Sequence, residues 1–469
     1  MTTPTRPPFA LGFEPAVIPT ALSKLMGFKT TCGCGRIHAS DVKWTAVRRG
    51  AVEALPDFVR EVGGGLTILV VADKVTGDIA GKRVLNMLGR DGHHPGLLIL
   101  PEGAGGRPHA DEANLLLVQT AVKGADLAVA VGSGTVNDLT KLASFQQGIP
   151  YMTVATAPSM NGYTSGIAAI MLRGVKRTVD CHQPVAVVAD LDILCEAPLP
   201  LIAAGLGDLE SKPTATADFR LAGILRGDYY CPAPETVVLT AEARAKETAP
   251  GLKAREPASI AALTEALILS GISMKLAGSS SPASGGEHLI SHFWDMTAEV
   301  EGRVEGWHGA QVGVATIVTA ALYEVLSELS PEQMSVDAVV RSRPKFDDRL
   351  PDIHRIHGVF AEEVVAEYRS KRLTDEALEN ELTTIKEGWE ALWRNLFQVL
   401  RPAATVRDVL AAAGAPTDVR DIGLSSTHLD TACRHARFIR GRFTVLDFAS
   451  DLGVFDKVIG ETLSRVRAL

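Results

Sequence analysis

The stretch Asp126-Leu-Ala-Val-Ala-Val-Gly-Ser-Gly-Thr-Val-Asn-Asp138 decides the fold, because a continuous apolar run leads directly into a glycine-containing turn. Such a run predicts a strand buried on both faces, and a helix is predicted to open at Leu139. Glycines let the backbone approach a ligand closely, and the N–H groups at a helix start point at an anion. The turn therefore predicts a pyrophosphate site, although it is not the G-x-G-x-x-G fingerprint. The alternative is a structural turn capped by Asn137 or Asp138.

Similar strand and helix patterns flank this stretch. Apolar, β-branched runs predict further strands at Leu66–Ala72, Leu97–Leu100, Tyr151–Val154 and Pro184–Ala189. Helices are predicted between them, at Ala46–Val62 with a break at Pro56, at Gly81–Leu88 and at Asp111–Lys123. Strands that alternate with helices indicate βαβ units, so we expect an α/β domain with a mostly parallel sheet.

After about Pro198 the sequence becomes helical in character. Ala, Leu, Glu and Arg dominate, and a helical period recurs in Leu201–Lys212, Ile260–Ala277, Gly286–Val300, Gly313–Leu329, Ala361–Tyr368 and Thr374–Leu400. The polar segment Pro250–Pro257 predicts a loop. We therefore expect an N-terminal extension over residues 1–44, an α/β domain over 45–198 and an all-helical domain over 199–469.

The composition excludes several classes of protein. The 469 residues are 46% apolar and 22% charged, which is typical of a globular chain. A formal net charge of -8 argues against a broad grip on nucleic acid. We see neither a signal peptide nor an uninterrupted apolar stretch of about 20 residues, so we expect no membrane span and a cytoplasmic location. The composition leaves room for a homo-oligomer.

Two of the six cysteines, Cys32 and Cys34, form a C-x-C pair that Gly35 and His38 follow. One interpretation is a small metal clip. The other is a turn with reduced thiols, which we favour because no second cysteine pair lies nearby in the sequence.

A second polar turn, Thr156-Ala-Pro-Ser-Met-Asn-Gly-Tyr-Thr-Ser165, follows the next predicted strand. Its hydroxyl and amide groups suit a ribose, a nicotinamide carboxamide or a polar substrate, and the alternative is a loop shaped by Pro and Gly. Near the C-terminus a basic segment predicts either a site for a substrate phosphate or a solvated helix face; its members are Arg434, Arg437, Arg440 and Arg442.

One carboxylate and three histidines form the strongest constellation. Asp208 lies in a predicted helix, and His288 and His292 lie four residues apart on one face of another. His308 stands just before the next helix. A carboxylate with two or three imidazoles is the donor set of a catalytic divalent site, whereas any single histidine here would more often be a cap or a packed polar residue.

At these residues the chain resembles the sn-glycerol-1-phosphate dehydrogenase family, within the superfamily of iron-containing alcohol dehydrogenases, glycerol dehydrogenases and dehydroquinate synthases. The resemblance spans roughly residues 45 to 455. The segments that carry it are Gly132–Asp138, Thr156–Tyr163, Ala186–Ile193, Gly205–Asp208, Glu287–His292, His308–Gly313 and Ile439–Asp447.

The resemblance implies a Rossmann-like domain on a helical domain, with the active site in the cleft between them. It implies NAD or NADP as the cofactor and one divalent metal, zinc before nickel or iron, held by Asp208, His288 and His308. His292 would be a substrate-side proton relay, and Asn161 would contact a small phosphorylated substrate together with Asp208 and His292. The implied dinucleotide contacts are Gly134, Thr135, Val136, Asn137, Asp138, Thr156, Ser159 and Ser165.

Asn161 departs from the family, which usually has Asp at this position. The leading hypothesis is reversible reduction of dihydroxyacetone phosphate, and the departure leaves open another polyol phosphate, a sugar phosphate or a phosphonate aldehyde. A dehydroquinate-synthase-like cyclase is less favoured, because such relatives carry Glu where Asp208 stands and a Lys where this chain has Ser165-Gly-Ile167. An inactive nucleotide-binding relative is disfavoured by the complete set of metal-ligating residues.

Overall fold

Ten strands lie within the part of the chain that the computed structural model describes, residues 12–172 and 175–469. They are β1 (Lys29–Thr31), β2 (Ile37–Ala39), β3 (Trp44–Arg48), β4 (Thr67–Asp73), β5 (His94–Leu100), β6 (Leu127–Gly132), β7 (Tyr151–Ala155), β8 (Ile167–Leu172), β9 (Val175–Asp180) and β10 (Ala186–Asp190). Six of these described strands form one fully parallel sheet in the order β3-β10-β7-β6-β4-β5. The other four form two antiparallel hairpins, β1–β2 and β8–β9.

Helices cover both faces of the sheet, and the alternation along β4 shows why. Ile68 and Val70 pack on one face with Leu55 and Val84, whereas Leu69 packs on the other with its own set of apolar side chains. The helices of this part are Leu55–Arg60, Lys74–Thr76, Lys82–Arg90, Glu112–Ala121, Gly134–Gln147 and Leu191–Leu194. The predicted α/β fold with a mostly parallel sheet is confirmed.

The predicted helix over Ala46–Val62, with its break at Pro56, was wrong over its first residues. Residues Trp44–Arg48 form edge strand β3, which pairs with β10. A helix follows only at Leu55–Arg60, and Pro56 lies in its first turn, where the missing N–H costs nothing.

The second part is helical from Leu199 to the C-terminus. Its helices are Leu199–Glu210, Lys212–Arg226, Pro232–Leu252, Pro257–Ala277, Gly286–Val300, His308–Ser327, Val336–Ser342, Leu350–His357, Ala361–Lys371, Asp375–Leu396, Ala403–Ala412, Ser426–His435, Val445–Asp451 and Phe455–Ala468. The predicted loop Pro250–Pro257 is shorter than expected, because the preceding helix continues through Pro250. The predicted helical C-terminal part is confirmed.

Two of these helices are long and apolar enough to cross a membrane by length and composition. In Pro257–Ala277 and His308–Ser327, however, 78% and 94% of the most apolar window is buried within the protein. Core helices of globular proteins pass the same test, so their apolar character is explained by packing.

Helices Leu199–Glu210 and His308–Ser327 touch through their backbones. A Cβ atom on Gly207 would lie 2.2 Å from the carbonyl oxygen of Gly309, and one on Gly309 would lie 1.8 Å from that of Ala204. Neither distance is compatible with a side chain. The glycines are therefore required for this crossing, which brings Asp208 beside His308.

We expect Gly309→Ala to destabilise the protein by about 1–3 kcal/mol, because the new methyl group must push the two helices apart. The same shift should separate Asp208 from His308 and lower the metal content. Gly460→Ala is the matched control, since a Cβ there meets nothing within 4 Å and lies in a helix. Chemical denaturation and metal analysis of both variants test this; equal stability of the two would contradict it.

Candidate active site

A cleft with a volume of about 970 Å³ lies between the sheet and the helical part. The carboxyl ends of four parallel strands line it: Asp73 at the end of β4, Ser133 after β6, Thr156 after β7 and Asp192 after β10. In parallel α/β sheets, ligands bind at this edge. The opposite wall includes His288, His292 and His308 from the helical part.

The turn after β6 carries the start of helix Gly134–Gln147 to the wall of the cleft. Ser133 is the N-cap of helix Gly134–Gln147 but makes no side-chain cap hydrogen bond, and its hydroxyl instead bonds that of Ser159. Gly134, Thr135 and Val136 line the cleft. Because the first N–H groups of a helix lack partners within it, this turn fits a diphosphate.

Asn137 and Asp138 have different positions. Asp138 lines the cleft, whereas Asn137 is fully buried and does not line it. The Asn137 amide donates to Asp138 Oδ1 over 3.2 Å and to the Gly162 carbonyl over 3.4 Å. Asn137 thus reaches the cleft only through its neighbour.

The second polar turn lies beside the first, since the Ser133 and Ser159 hydroxyls are hydrogen-bonded, and Thr156, Ser159 and Ser165 line the cleft. Lys141, which sequence reasoning missed, fastens this turn: its ammonium donates to the Gly162 carbonyl over 2.7 Å and to Ser165 Oγ over 3.0 Å. The Ser165 hydroxyl also donates to the backbone carbonyls of Gly162 and Ile167, so its hydrogen-bonding capacity is used within the turn.

Asp208, His288 and His308 come together although they lie on three different helices. One ligand atom from each lies within 4.8 Å of the others, and His288 Nε2 is 3.6 Å from Asp208 Oδ1. A carboxylate and two imidazoles with an open side toward a cleft fit a divalent cation.

Glu287 orients one of these ligands. Its carboxylate lies 2.8 Å from His288 Nδ1, which leaves His288 Nε2 directed at Asp208. Histidines that bind metals almost always have such a partner on the other ring nitrogen. Glu287 directly precedes His288 in the sequence, yet no pattern there indicated its role.

Asp208 is buried and accepts hydrogen bonds on both oxygens. Lys212 Nζ lies 2.9 Å from Oδ1, the Asn161 side-chain amide donates to the same oxygen over 3.1 Å, and the Asn161 backbone N–H donates to Oδ2 over 2.9 Å. Burial alone would raise the pKa of Asp208, but the Lys212 ammonium holds it well below its usual range. Asp208 is therefore a carboxylate before any ligand arrives. Lys212 follows it by one helical turn, a spacing from which it could have been found.

His292 lines the cleft beside this set. Its ring stacks on that of His308 at 5.4 Å between centroids, and its Nδ1 has no hydrogen-bond partner among the described residues. Burial and the nearby Lys176 ammonium hold the pKa of His292 well below its usual range, and burial lowers that of His308 to about 3. Both rings are therefore neutral near pH 7.

His292 and His308 also form a second candidate donor group with Asp295. The Asp295 carboxylate, however, lies 2.6 Å from Lys176 Nζ, which lines the cleft. The two groups share His308, so they border one another at the same end of the cleft.

The basic segment near the C-terminus divides in two. Arg434 pairs with Asp430 and Asp456, and Arg437 pairs with Asp447, so both are structural. The Arg440 guanidinium donates to the carbonyl of Lys176, and Arg442 donates to the carbonyl and hydroxyl of two serines that line the cleft, Ser284 and Ser280. Only the latter two bring positive charge near the cleft wall.

Known proteins share the sequence pattern of the α/β part and the fold of the chain. The family described as iron-containing alcohol dehydrogenase matches residues 46–198. A glycerol dehydrogenase from Schizosaccharomyces pombe superimposes with a TM-score of 0.57 at 14% identity, covering 97% of this chain and 94% of the other, so it shares the fold. A probable glycerol dehydrogenase from Sinorhizobium meliloti has the same TM-score at 16% identity, with coverages of 90% and 98%.

Relatives with higher sequence identity identify the family of the chain. The glycerol-1-phosphate dehydrogenase (NAD(P)+) of Halalkalibacterium halodurans is 38% identical over 323 residues, which cover 68% of this chain and 81% of that protein. The corresponding protein of Pyrococcus horikoshii is 32% identical, with coverages of 59% and 77%. The chain belongs to the glycerol-1-phosphate dehydrogenase family.

We expect Glu287→Ala to weaken metal binding about 10–100-fold, because the His288 ring loses the partner that orients it. Glu287→Gln should lose less metal affinity, since the amide oxygen can still accept a hydrogen bond from His288 Nδ1. Competition with a chromogenic chelator measures both affinities, and thermal unfolding checks that the variants fold. Unchanged affinity in Glu287→Ala would contradict the role given to this carboxylate.

Proposed function

We propose that this protein is a metal-dependent NAD(P)H oxidoreductase that reversibly reduces dihydroxyacetone phosphate to sn-glycerol 1-phosphate. The observation that carries the proposal is that one cleft joins a helix start suited to a diphosphate with a carboxylate–imidazole set suited to a divalent cation. The names of the relatives support the substrate.

Asp208, His288 and His308 would hold the metal, with zinc the first candidate and nickel or iron the alternatives. When bound, such a cation acts as a Lewis acid on the substrate carbonyl. The chain contributes an ionised Asp208 and a neutral His308, so these two ligands need lose no proton on binding.

The dinucleotide, NAD or NADP, would lie along the carboxyl ends of the strands. The backbone of Gly134–Val136 would bind its diphosphate, with Asp138, Thr156 and Ser159 beside it. NAD(P)H supplies the hydride that reaches the carbonyl carbon. Ser165 and Asn137 would act indirectly, by holding the two turns in place.

His292 would move the proton. Because its pKa is low, the His292 ring is neutral and does not hold a second proton. The neutral ring would donate the proton of its N–H to the product oxygen, and the other ring nitrogen would take a proton from water. His292 Nδ1, which has no hydrogen-bond partner among the described residues, leaves one ring nitrogen available for such a relay. Lys176 lines the cleft, and Arg440 donates a hydrogen bond to its carbonyl oxygen. These two cations would attract the substrate phosphate to the end of the cleft where His292 lies.

A cytoplasmic location is part of the proposal. The six cysteines are all free thiols, as expected in a reducing compartment. The division into an extension over 1–44, a dinucleotide domain over 45–198 and a metal- and substrate-binding domain over 199–469 remains the proposed domain plan, and a homo-oligomer remains a prediction.

We expect His288→Ala to lower metal content and activity together, with activity falling about 100-fold or more because the carbonyl loses its electrophilic partner. His94→Ala is the matched control, since His94 is exposed on edge strand β5. Metal analysis beside NAD(P)H oxidation measures both. Full activity in a metal-free His288→Ala protein would sink the mechanism.

The substrate is tested by rates on dihydroxyacetone phosphate, other polyol and sugar phosphates and phosphonate aldehydes. We expect dihydroxyacetone phosphate to be the best for the parent. Asn161→Asp, the residue that the family usually carries, should keep kcat/KM within about tenfold of the parent when metal is bound, because the cation offsets the second carboxylate that would face Asp208. A better substrate of another class would favour the alternative substrates, and NAD(P)H binding without any turnover would favour an inactive relative.

A further inference from the structure

A second cluster of metal-ligating side chains lies outside the cleft. Cys32 and Cys34 lie in the turn between β1 and β2, His38 lies in β2, and Cys231 joins them from the start of helix Pro232–Leu252. One ligand atom from each lies within 4.8 Å of the others. Cys32, His38 and Cys231 are buried, and Cys34 is half-buried.

The distances within the cluster match those of four ligands around a tetrahedral zinc ion. Bonds of about 2.3 Å to sulfur and 2.0–2.1 Å to nitrogen at tetrahedral angles separate two sulfurs by about 3.8 Å, and a sulfur from a nitrogen by about 3.6 Å. The Cys32 and Cys231 sulfurs are 3.8 Å apart. His38 Nε2 lies 3.5 Å from the Cys34 sulfur and 3.6 Å from that of Cys231.

Surrounding groups orient these ligands. His38 Nδ1 lies 2.6 Å from the carbonyl oxygen of Leu276, so this nitrogen carries the proton and Nε2 is left with a lone pair that faces the sulfurs. The Ala16 N–H donates to the Cys32 sulfur over 3.1 Å, and the Tyr229 hydroxyl lies 3.6 Å from that of Cys34. The Arg36 guanidinium covers the Tyr229 ring at 3.4 Å and so closes this side.

The thiols of the cluster differ in acidity. Burial opposes ionisation of Cys32, but hydrogen bonds from the backbone of Cys34 and Ala16 lower its pKa to about 6. Burial raises the pKa of Cys231 to about 12. Zinc binds cysteine as the thiolate, so binding would release the proton of any cysteine in the cluster that is still a thiol.

We propose that Cys32, Cys34, His38 and Cys231 bind a structural zinc ion. Three thiolates and one imidazole complete a tetrahedral shell and leave no open position for substrate, in contrast to the cleft. The ion would join the β1–β2 hairpin to the start of helix Pro232–Leu252. Through His38 and Leu276 it would also hold the end of helix Pro257–Ala277, from which Met274 lines the cleft.

The test uses full-length protein, stripped by a chelator under reducing conditions and reloaded with Co²⁺. Thiolate ligands give Co²⁺ an intense charge-transfer absorption in the near ultraviolet, which the Asp208, His288 and His308 set cannot produce because it has no sulfur. We expect this absorption in the parent and its loss in a Cys34→Ser/Cys231→Ser variant. Cys195→Ser is the matched control, a half-buried cysteine outside the cluster that should keep the band.

Zinc content gives a second readout that is independent of the proposed activity. We expect His288→Ala, purified without added metal, to retain about one equivalent of zinc, and His288→Ala combined with Cys34→Ser and Cys231→Ser to retain none. Absence of the cobalt band in the parent, or a band unchanged in the double variant, would overturn the proposal. So would a Cys32–Cys231 disulfide, seen as two fewer than six free thiols after denaturation without reductant.

Discussion

The crossing of helices Leu199–Glu210 and His308–Ser327 is the contact on which the active site depends. Ordinary side chains hold helix axes 8–10 Å apart, and removal of the Cβ atoms lets two backbones touch. Gly207 immediately precedes Asp208, and Gly309 immediately follows His308. The residues that permit the contact therefore adjoin the ligands that it brings together, so packing and ligand geometry cannot vary independently here.

Buried charge decides which groups bind and which move protons. Removing Asp208 and Lys212 from water is costly, and their pairing offsets that cost while keeping the carboxylate ionised. Asp295 is likewise paired with a lysine. The carboxylate of the Asp208 group and that of the Asp295 group therefore have similar partners. The imidazoles of the two groups differ. His288 Nδ1 is fixed by a carboxylate, whereas His292 Nδ1 has no partner among the described residues. A fixed ring suits a ligand, and an unfixed one suits a relay.

The central strands could be predicted because burial on both faces makes each a continuous apolar run. Ala46–Arg48 of edge strand β3 was assigned to a helix, since an edge strand that pairs on one side carries a mixed sequence. Asp208, His288 and His308, which the structure brings together, were grouped from residue type and resemblance. Glu287 and Lys212 were not, because a charged residue beside a ligand is solvated in most helices. Cys231 could not be joined to the Cys32–His38 segment, since 193 residues separate it from His38.

The same electrostatics explains why an amide side chain, that of Asn161, lies beside Asp208. Its backbone and side-chain N–H groups both donate to Asp208, so the amide lies against a buried carboxylate at 3.1 Å. An aspartate there would place two carboxylates in contact, and one would take up a proton or require a cation between them. Asn161 instead leaves the negative charge on Asp208 alone. With Asn161 in place of an aspartate, this wall of the cleft therefore carries one negative charge fewer, and two N–H donors hold the Asp208 carboxylate in position.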